Sequence, residues 1–301
     1  MLAKYYSINP ANFKLDGGAM FGIIPRPLWS KKAVPDEQNR ISLSLRILCI
    51  EVGKRLILID TGIGDYHSQK FNEQFAITSP SDPLIAALNL IGKDPDEVTD
   101  LILSHLHFDH VGGLACQKND VLEASFKNAI YHLHKDHFNY AQNPTERDAG
   151  SFLLHTFLPL IEKKNKENKV HWCEGQNGII LKEGNYQLNF RTSHGHTPYL
   201  MHAYDQEWIY LADLIPTSSH LHIPWVMGYD IAPGVSTKDK RAILKFIFEN
   251  KLKLFFEHDP EYFGASIKCQ IKNNKEEYSF DQLYKPPSSS FQITPASILG
   301  Q

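Results

Sequence analysis

Residues 104–113 read SHLHFDHVGG, and within 105–110 they set four potential metal ligands together: His105, His107, Asp109 and His110. Imidazole and carboxylate suit zinc and similar borderline divalent ions, and a catalytic site keeps a position open for water beside about three protein ligands. On an extended segment residues i and i+2 point to the same side, so His105 and His107 can grip one ion together. The turn that follows swings Asp109 and His110 towards a second ion. Gly112 and Gly113 are then expected to let the backbone turn tightly. The competing reading is a polar loop with exposed histidines, but two ordinary surface histidines rarely flank a carboxylate in this way.

Working outward, TDLILS (99–104) reads as a short buried strand that delivers the chain to His105. Upstream, ISLSLRILCIEV (41–52) and KRLILIDTG (54–62) read as the arms of a hairpin about a Gly-Lys turn. DPLIAALNLIG (82–92) has helical periodicity that Gly92 and Pro95 stop, and Asp94 with Glu97 forms a capping-box pattern. Downstream, KNAIYHLH (127–134) reads as a strand and GSFLLHTFLPLIEKKNK (150–166) as an amphipathic helix. Strands are expected at 169–173, 178–182, 186–192, 200–205 and 207–213, then a helix at 237–250 and a strand at 252–258. Each half carries strands and then helix, which an α+β chain accommodates as two sheets face to face with helices outside, an αβ/βα four-layer sandwich. The candidate ligands spread from 105 to 258 and must converge, so residues 1–284 are read as one domain. The Pro/Ser-rich stretch 285–301 is read as a C-terminal surface tail.

Composition narrows the partners. With 301 residues, 42% hydrophobic and 22% charged, the chain can bury a sizeable core and is not disordered. Lys plus Arg is 31 against 34 for Asp plus Glu, with no long basic run, so nucleic acid is not the expected partner. Four scattered cysteines without a CxxC pair read as reduced thiols. No stretch has signal-peptide character and no window approaches the roughly 18 apolar residues of a membrane span, so the expected location is cytoplasmic, with no membrane partner. A small-molecule substrate is the expected partner, and a homodimer stays open.

HLHFDH (105–110) matches the HxHxDH signature of the metallo-β-lactamase superfamily, and the chain resembles that family from about residue 16 to 260. The resemblance implies two divalent ions, with zinc the expected metal, and assigns further roles. Asp60 in LIDTG (58–62) is implied to orient the metal loop rather than to ligate. His196 in GHTP (195–198) becomes the third histidine on the first ion, Asp213 in YLADLIP (210–216) the bridging carboxylate, and His258 in FFEHDP (255–260) a ligand of the second ion. One departure leaves a choice open. The segment reads HGHTPYLMH (194–202), with Tyr199 where the family commonly has Gly, so His194 competes with His196, although the GHT context lies on His196.

DGGAMFGIIPRPLWSKK (16–32) and ADLIPT (212–217) are similar to segments of the YtnP-like quorum-quenching lactonases. That resemblance implies hydrolysis of an acyl-homoserine lactone or another carboxylic ester by hydroxide shared between the two ions, with Asp109 as the catalytic carboxylate. The same ions would serve a phosphotriesterase or phosphodiesterase, and a non-hydrolytic metal-binding member is the third reading. Met20, Phe21 and Trp29 are candidates to line an apolar mouth for the substrate, with Trp225 and Tyr229 behind them. His220, in the second HxH of TSSHLHIPW (217–225), is a candidate pocket residue, while His132, His134 and His137 read as structural. No GxSxG surrounds a serine, so a serine nucleophile has no support.

Overall fold

The computed structural model describes residues 2–118 and 121–298. The first strands are β1 (Lys4–Ile8), β2 (Asn12–Asp16), β3 (Arg40–Ser44), β4 (Ile47–Val52), β5 (Arg55–Ile59) and β6 (Asp100–Ile102). They are followed by β7 (Ala115–Lys118), β8 (Val121–Ala124), β9 (Ile130–His134), β10 (Val170–Cys173), β11 (Asn177–Glu183) and β12 (Tyr186–Ser193). The last are β13 (Leu200–Tyr204), β14 (Trp208–Tyr210), β15 (Lys253–Phe255), β16 (Gly264–Lys272), β17 (Lys275–Tyr284) and β18 (Phe291–Ile293). The helices are α1 (Gly17–Phe21), α2 (Arg26–Trp29), α3 (Gln69–Gln74), α4 (Pro83–Asn89), α5 (Phe108–Val111), α6 (Lys135–Gln142), α7 (Leu154–Lys166), α8 (Pro233–Asn250) and α9 (Pro295–Ile298).

Two mixed seven-stranded sheets result, in the orders β10-β9-β6-β5-β4-β1-β18 and β11-β12-β13-β14-β15-β16-β17. Sequence explains why the first sheet is covered on both faces. Along β4 and β5, Leu48, Ile50, Val52, Ile57 and Ile59 join the core between the sheets. Their neighbours Ile47, Cys49, Leu56 and Leu58 join a second core with α4 and α7. Successive strand residues point to opposite faces, so only a continuous apolar run can fill both. α8 adds Ile243, Leu244 and Ile247 to the core that includes the second sheet. The expected sandwich of two sheets with flanking helices is what the chain forms. No helix among the described residues is long and apolar enough to cross a membrane.

Three expectations about elements need correction. The run 41–52 is not one hairpin arm: β3 pairs with β2 in a separate ribbon, and only β4 pairs with β5. The break falls where Ser44 N–H and Arg46 N–H turn to the carbonyls of His258 and Glu257, and where the buried Arg46 guanidinium donates to Asp259 O at 2.8 Å. The β16–β17 hairpin was unforeseen. Its turn is Asn273–Asn274, both at positive φ (51° and 58°), as a two-residue hairpin connection requires.

The surface tail is the third correction. Phe291, Gln292 and Ile293 pair with Ser7, Tyr6 and Tyr5, and Phe291 and Ile293 are buried in the core between the sheets. The Pro/Ser composition of 286–290 hid a short alternating strand after it. Residues 299–301 of the expected tail lie outside the described residues.

Candidate metal centre

β6 ends at Ile102, and the chain then runs extended through Ser104, His105 and His107 before α5 turns it. Asp60, just after β5, fixes this passage. Its Oδ1 accepts Ser104 N–H at 2.7 Å and its Oδ2 accepts Ser104 O–H at 2.6 Å and His110 Nδ1–H at 3.0 Å. Asp60 holds a left-handed backbone (φ 63°), a strained conformation kept by these ties. The two glycines act by closeness rather than by turning. Gly112 has ordinary helical dihedrals (φ −56°, ψ −40°), but a Cβ there would sit 2.0 Å from Ile63 O, and one on Gly113 would sit 2.2 Å from Thr61 O.

The structure brings the seven candidate ligands into two adjoining groups. His105, His107, His196 and Asp213 offer atoms within 4.8 Å of one another, as do Asp109, His110 and His258. Asp213 faces both: its Oδ2 is 3.1 Å from His196 Nε2 and its Oδ1 is 3.1 Å from His258 Nε2. Asp109 Oδ2 lies 3.7 Å from His258 Nε2 and 3.8 Å from His110 Nε2. His194 is elsewhere, half-buried, with Nε2 at 2.7 Å from Gln176 Oε1 and Nδ1 accepting Tyr199 N–H. The choice between the two histidines thus falls to His196 on placement.

The outer ring nitrogens show what the inner ones are for. His105 Nδ1 meets Ser104 Oγ (3.0 Å), His196 Nδ1 meets Asp230 Oδ1 (3.1 Å), and His258 Nδ1–H donates to Ser44 O (2.8 Å). With His110 Nδ1 on Asp60, four imidazoles spend one N–H outward and aim Nε2 inward, where it can ligate once it carries no proton. His110 Nε2 and Asp213 Oδ1 are buried with no hydrogen-bond partner. Nitrogens and carboxylates that converge in this way call for positive charge between them, a proton or a metal ion, and this donor set fits borderline divalent ions.

Electrostatics agree. Burial above all, then the neighbouring imidazoles, holds His105 and His107 well below the usual imidazole range, so both stay neutral and able to ligate. Burial acts the same way on His196 and His258, but there the carboxylates prevail and drive both up to about 9: Asp213 and Asp230 for the first, Glu257 and Asp213 for the second. The cluster therefore draws positive charge, and protons and metal ions compete for the same nitrogens.

Two residues central to this geometry had no sequence signal. Asp230 orients His196 from a loop in no recognisable motif, and Glu257 lies 3.0 Å from His110 Nδ1, fully buried. His137, read as structural, joins the two ligand-bearing loops: its Nε2 accepts Leu106 N–H at 2.9 Å and its Nδ1–H donates to Pro198 O at 2.7 Å.

The expected apolar mouth is corrected. Met20, Phe21 and Trp29 are at most 2% exposed and form a small core of their own. Asp16 caps α1, and Trp29 lies over Gly17 so closely that a Cβ there would be 2.5 Å from the indole. His220 is neither a pocket wall nor a surface residue. It is stacked on Phe21 (4.9 Å), its Nε2–H donates to Met20 O at 2.8 Å, and its Nδ1 meets Thr217 Oγ1 at 2.7 Å, which ties α1 to the loop after Asp213.

Comparison with known proteins agrees with this geometry. An N-acyl homoserine lactonase of Bacillus cereus is 23% identical over 237 residues, 74% of this chain and 84% of the relative. The crystal structure of a probable metal-dependent hydrolase from Staphylococcus aureus superposes with a TM-score of 0.79 at 25% identity, covering 95% of this chain and 98% of that one. AidC, a dizinc quorum-quenching lactonase in complex with its product, shares the fold with a TM-score of 0.70 at 20% identity, over 92% and 94% of the two chains. The family model of the metallo-beta-lactamase superfamily matches residues 47–258, from β4 through the last candidate ligand, and the chain belongs to that superfamily.

Proposed function

We propose that this chain is a dinuclear-metal hydrolase that opens a lactone or cleaves a carboxylic ester of the acyl-homoserine-lactone type. The observation that carries the hydrolytic reading is Asp213, whose two oxygens each lie 3.1 Å from a histidine of a different ligand group. His105, His107 and His196 would hold one ion, Asp109, His110 and His258 the other, and Asp213 both. When bound, a pair of divalent ions, zinc for this donor set, supplies acidified water and Lewis acidity towards an ester carbonyl.

The chain's own residues do the rest. Ser104, Asp60, Asp230 and the Ser44 carbonyl fix the imidazole orientations, so the inner nitrogens need no reorganisation during reaction. Asp109, 6% exposed, takes the proton released as water adds to the carbonyl carbon. As the ring C–O bond breaks, Asp109 returns that proton to the leaving oxygen, giving an alcohol and a carboxylic acid, which loses its own proton to solvent.

The lactone is favoured over a phosphotriester by the segments at 16–32 and 212–217 and by the lactonase relative. The ligand cluster itself serves either centre, so substrate choice rests on kinship rather than on the metal site. The test is kcat/KM on acyl-homoserine lactones of several chain lengths beside paraoxon. A lactone preference is expected. A phosphotriester preference of tenfold or more, about 1.4 kcal/mol in transition-state stabilisation, would reverse the assignment.

A further inference from the structure

Arg147 lies exposed in the loop after α6 and has no carboxylate partner among the described residues. Its guanidinium donates instead to main-chain oxygens of one loop, from Nη2 to Gly228 O and from Nε, at 3.1 Å, to Asp230 O. A planar fork on two carbonyls fixes the peptide units between them. Asp230 Oδ1 in turn meets His196 Nδ1 at 3.1 Å, and Ile231 N–H and Ala232 N–H donate to His196 O and Gly195 O at 3.2 and 2.9 Å. The loop that Arg147 grips is thus tied to both the side chain and the main chain of a candidate ligand. Arg147 stands on a firm base. Tyr140 O–H donates to Asp148 Oδ2 at 2.8 Å, Thr145 O–H to Asp148 Oδ1 at 2.6 Å, and Ala149 N–H to Thr145 O at 2.9 Å. In α6 itself, His137 joins Leu106 N–H to Pro198 O. The segment 135–148 therefore reaches Leu106 between His105 and His107, Pro198 just after His196, and the residue on the His196 ring. Among the described residues none of its hydrogen bonds goes to Asp109, His110 or His258.

We propose that Arg147 is a positioning residue of the first ion site, acting through Asp230 to hold His196 in its ligating orientation. The inference rests on the dinuclear reading above. An imidazole ligates along one direction in its ring plane, and the partner on its other nitrogen sets that direction. A carboxylate performs this task only while its own backbone is held. Residues 222–232 form neither strand nor helix, so the Asp230 backbone depends on individual ties. Lys240 Nζ donates to the carbonyls of His222 and Trp225, and Gly228 N–H to Ala19 O, all upstream of Asp230. Arg147 is the side chain that reaches the carbonyl of Asp230 itself. Because these contacts lie on the side of His105, His107 and His196, the effect falls on one ion of the two.

The test measures zinc affinity at both sites by chelator competition in wild type, Arg147→Ala, Asp230→Asn and the double variant, beside hydrogen–deuterium exchange at Ile231 and Ala232. Arg147 is exposed, so its replacement is expected to leave folding intact. Arg147→Ala is expected to weaken one ion about 3- to 10-fold, to leave the other within about twofold, and to speed exchange at the two amides roughly tenfold. Since Arg147 acts through Asp230, the double variant is expected to bind metal no more weakly than Asp230→Asn alone. Wild-type affinity for both ions in Arg147→Ala would overturn the proposal. So would equal weakening of the two ions, which marks a merely structural role, or losses that multiply in the double variant. If wild type holds fewer than two ions, the dinuclear reading fails, and exchange then decides the remaining claim. Faster exchange at Ile231 and Ala232 in Arg147→Ala would still show that Arg147 holds the loop on His196, and unchanged exchange would show that the loop keeps its place without it.

Discussion

One three-residue strand, β6, separates two clusters of histidine and carboxylate that resemble each other in composition and differ in how their hydrogen bonds are met. At its start Asp100 accepts from Arg55 Nη1 at 2.9 Å, from Thr99 O–H at 2.7 Å and from His132 at 2.8 Å, and His132 Nδ1 lies 3.2 Å from His171 Nδ1. Beyond its end lie His105 to His110, where His110 Nε2 and Asp213 Oδ1 have no partner. The first cluster answers its own demand for hydrogen bonds, so its residues serve stability. The second leaves its demand open towards the space that its two ligand groups enclose. Histidine count says nothing about which is which; the direction of the unspent lone pairs does.

Substitutions sharpen this contrast in order of expected effect. Asp213→Ala removes the carboxylate shared by both groups, and is expected to strip bound metal and to lower turnover by several kcal/mol of transition-state stabilisation, on the order of 10³-fold. Elemental analysis beside kinetics checks it, and metal content equal to wild type would contradict the shared role. Asp109→Asn is expected to cost about 10²- to 10⁴-fold in kcat while much of the metal stays, because the amide cannot carry the proton. Asp230→Asn touches no candidate inner atom, only His196 Nδ1, and roughly 10- to 100-fold in metal affinity is expected from the lost orientation. Chelator competition measures it.

At the satisfied end, Asp100→Asn is expected to leave metal content and turnover alone and to cost about 1–3 kcal/mol in unfolding free energy. Burial pushes the Asp100 carboxyl up, but the hydrogen bonds from His132, Thr99 and Arg55 outweigh it and hold it below the usual range. A carboxyl whose folded pKa lies below the unfolded value stabilises fully above the unfolded value, about 3.9, and loses that contribution as pH falls through the folded one. Denaturant titrations below about pH 4 should therefore show a shallower acid loss in Asp100→Asn than in wild type. Identical acid limbs would mean that Asp100 does not titrate below its ordinary range.

The same contrast marks what could be read in the sequence. His105, His107, Asp109 and His110 are dense enough to read directly, and His196, Asp213 and His258 follow from short segments in family order. Asp230 was invisible because it meets His196 across a 34-residue gap through a loop whose sequence carries no periodicity. Met20, Phe21 and Trp29 misled because apolar residues in a glycine-rich entry segment look alike whether they line a cavity or pack on one another. Strands β4, β5 and β6 were legible from their continuous apolar runs. The split at Leu45–Arg46 was not, since its cause is a carbonyl more than 200 residues away.

The pairing of β18 with β1 has a bearing on how the protein is made. Tyr5 and Ile293 are register partners, yet almost the whole chain is synthesised between them. Domains begin to fold while the ribosome is still adding residues, so β1 can settle against β4 early. Its other edge must wait, with backbone donors and acceptors exposed and ready to pair with any strand that passes. The nascent protein is therefore most open to aggregation during the interval in which residues after Val52 are being translated, and the arrival of Phe291–Ile293 closes it.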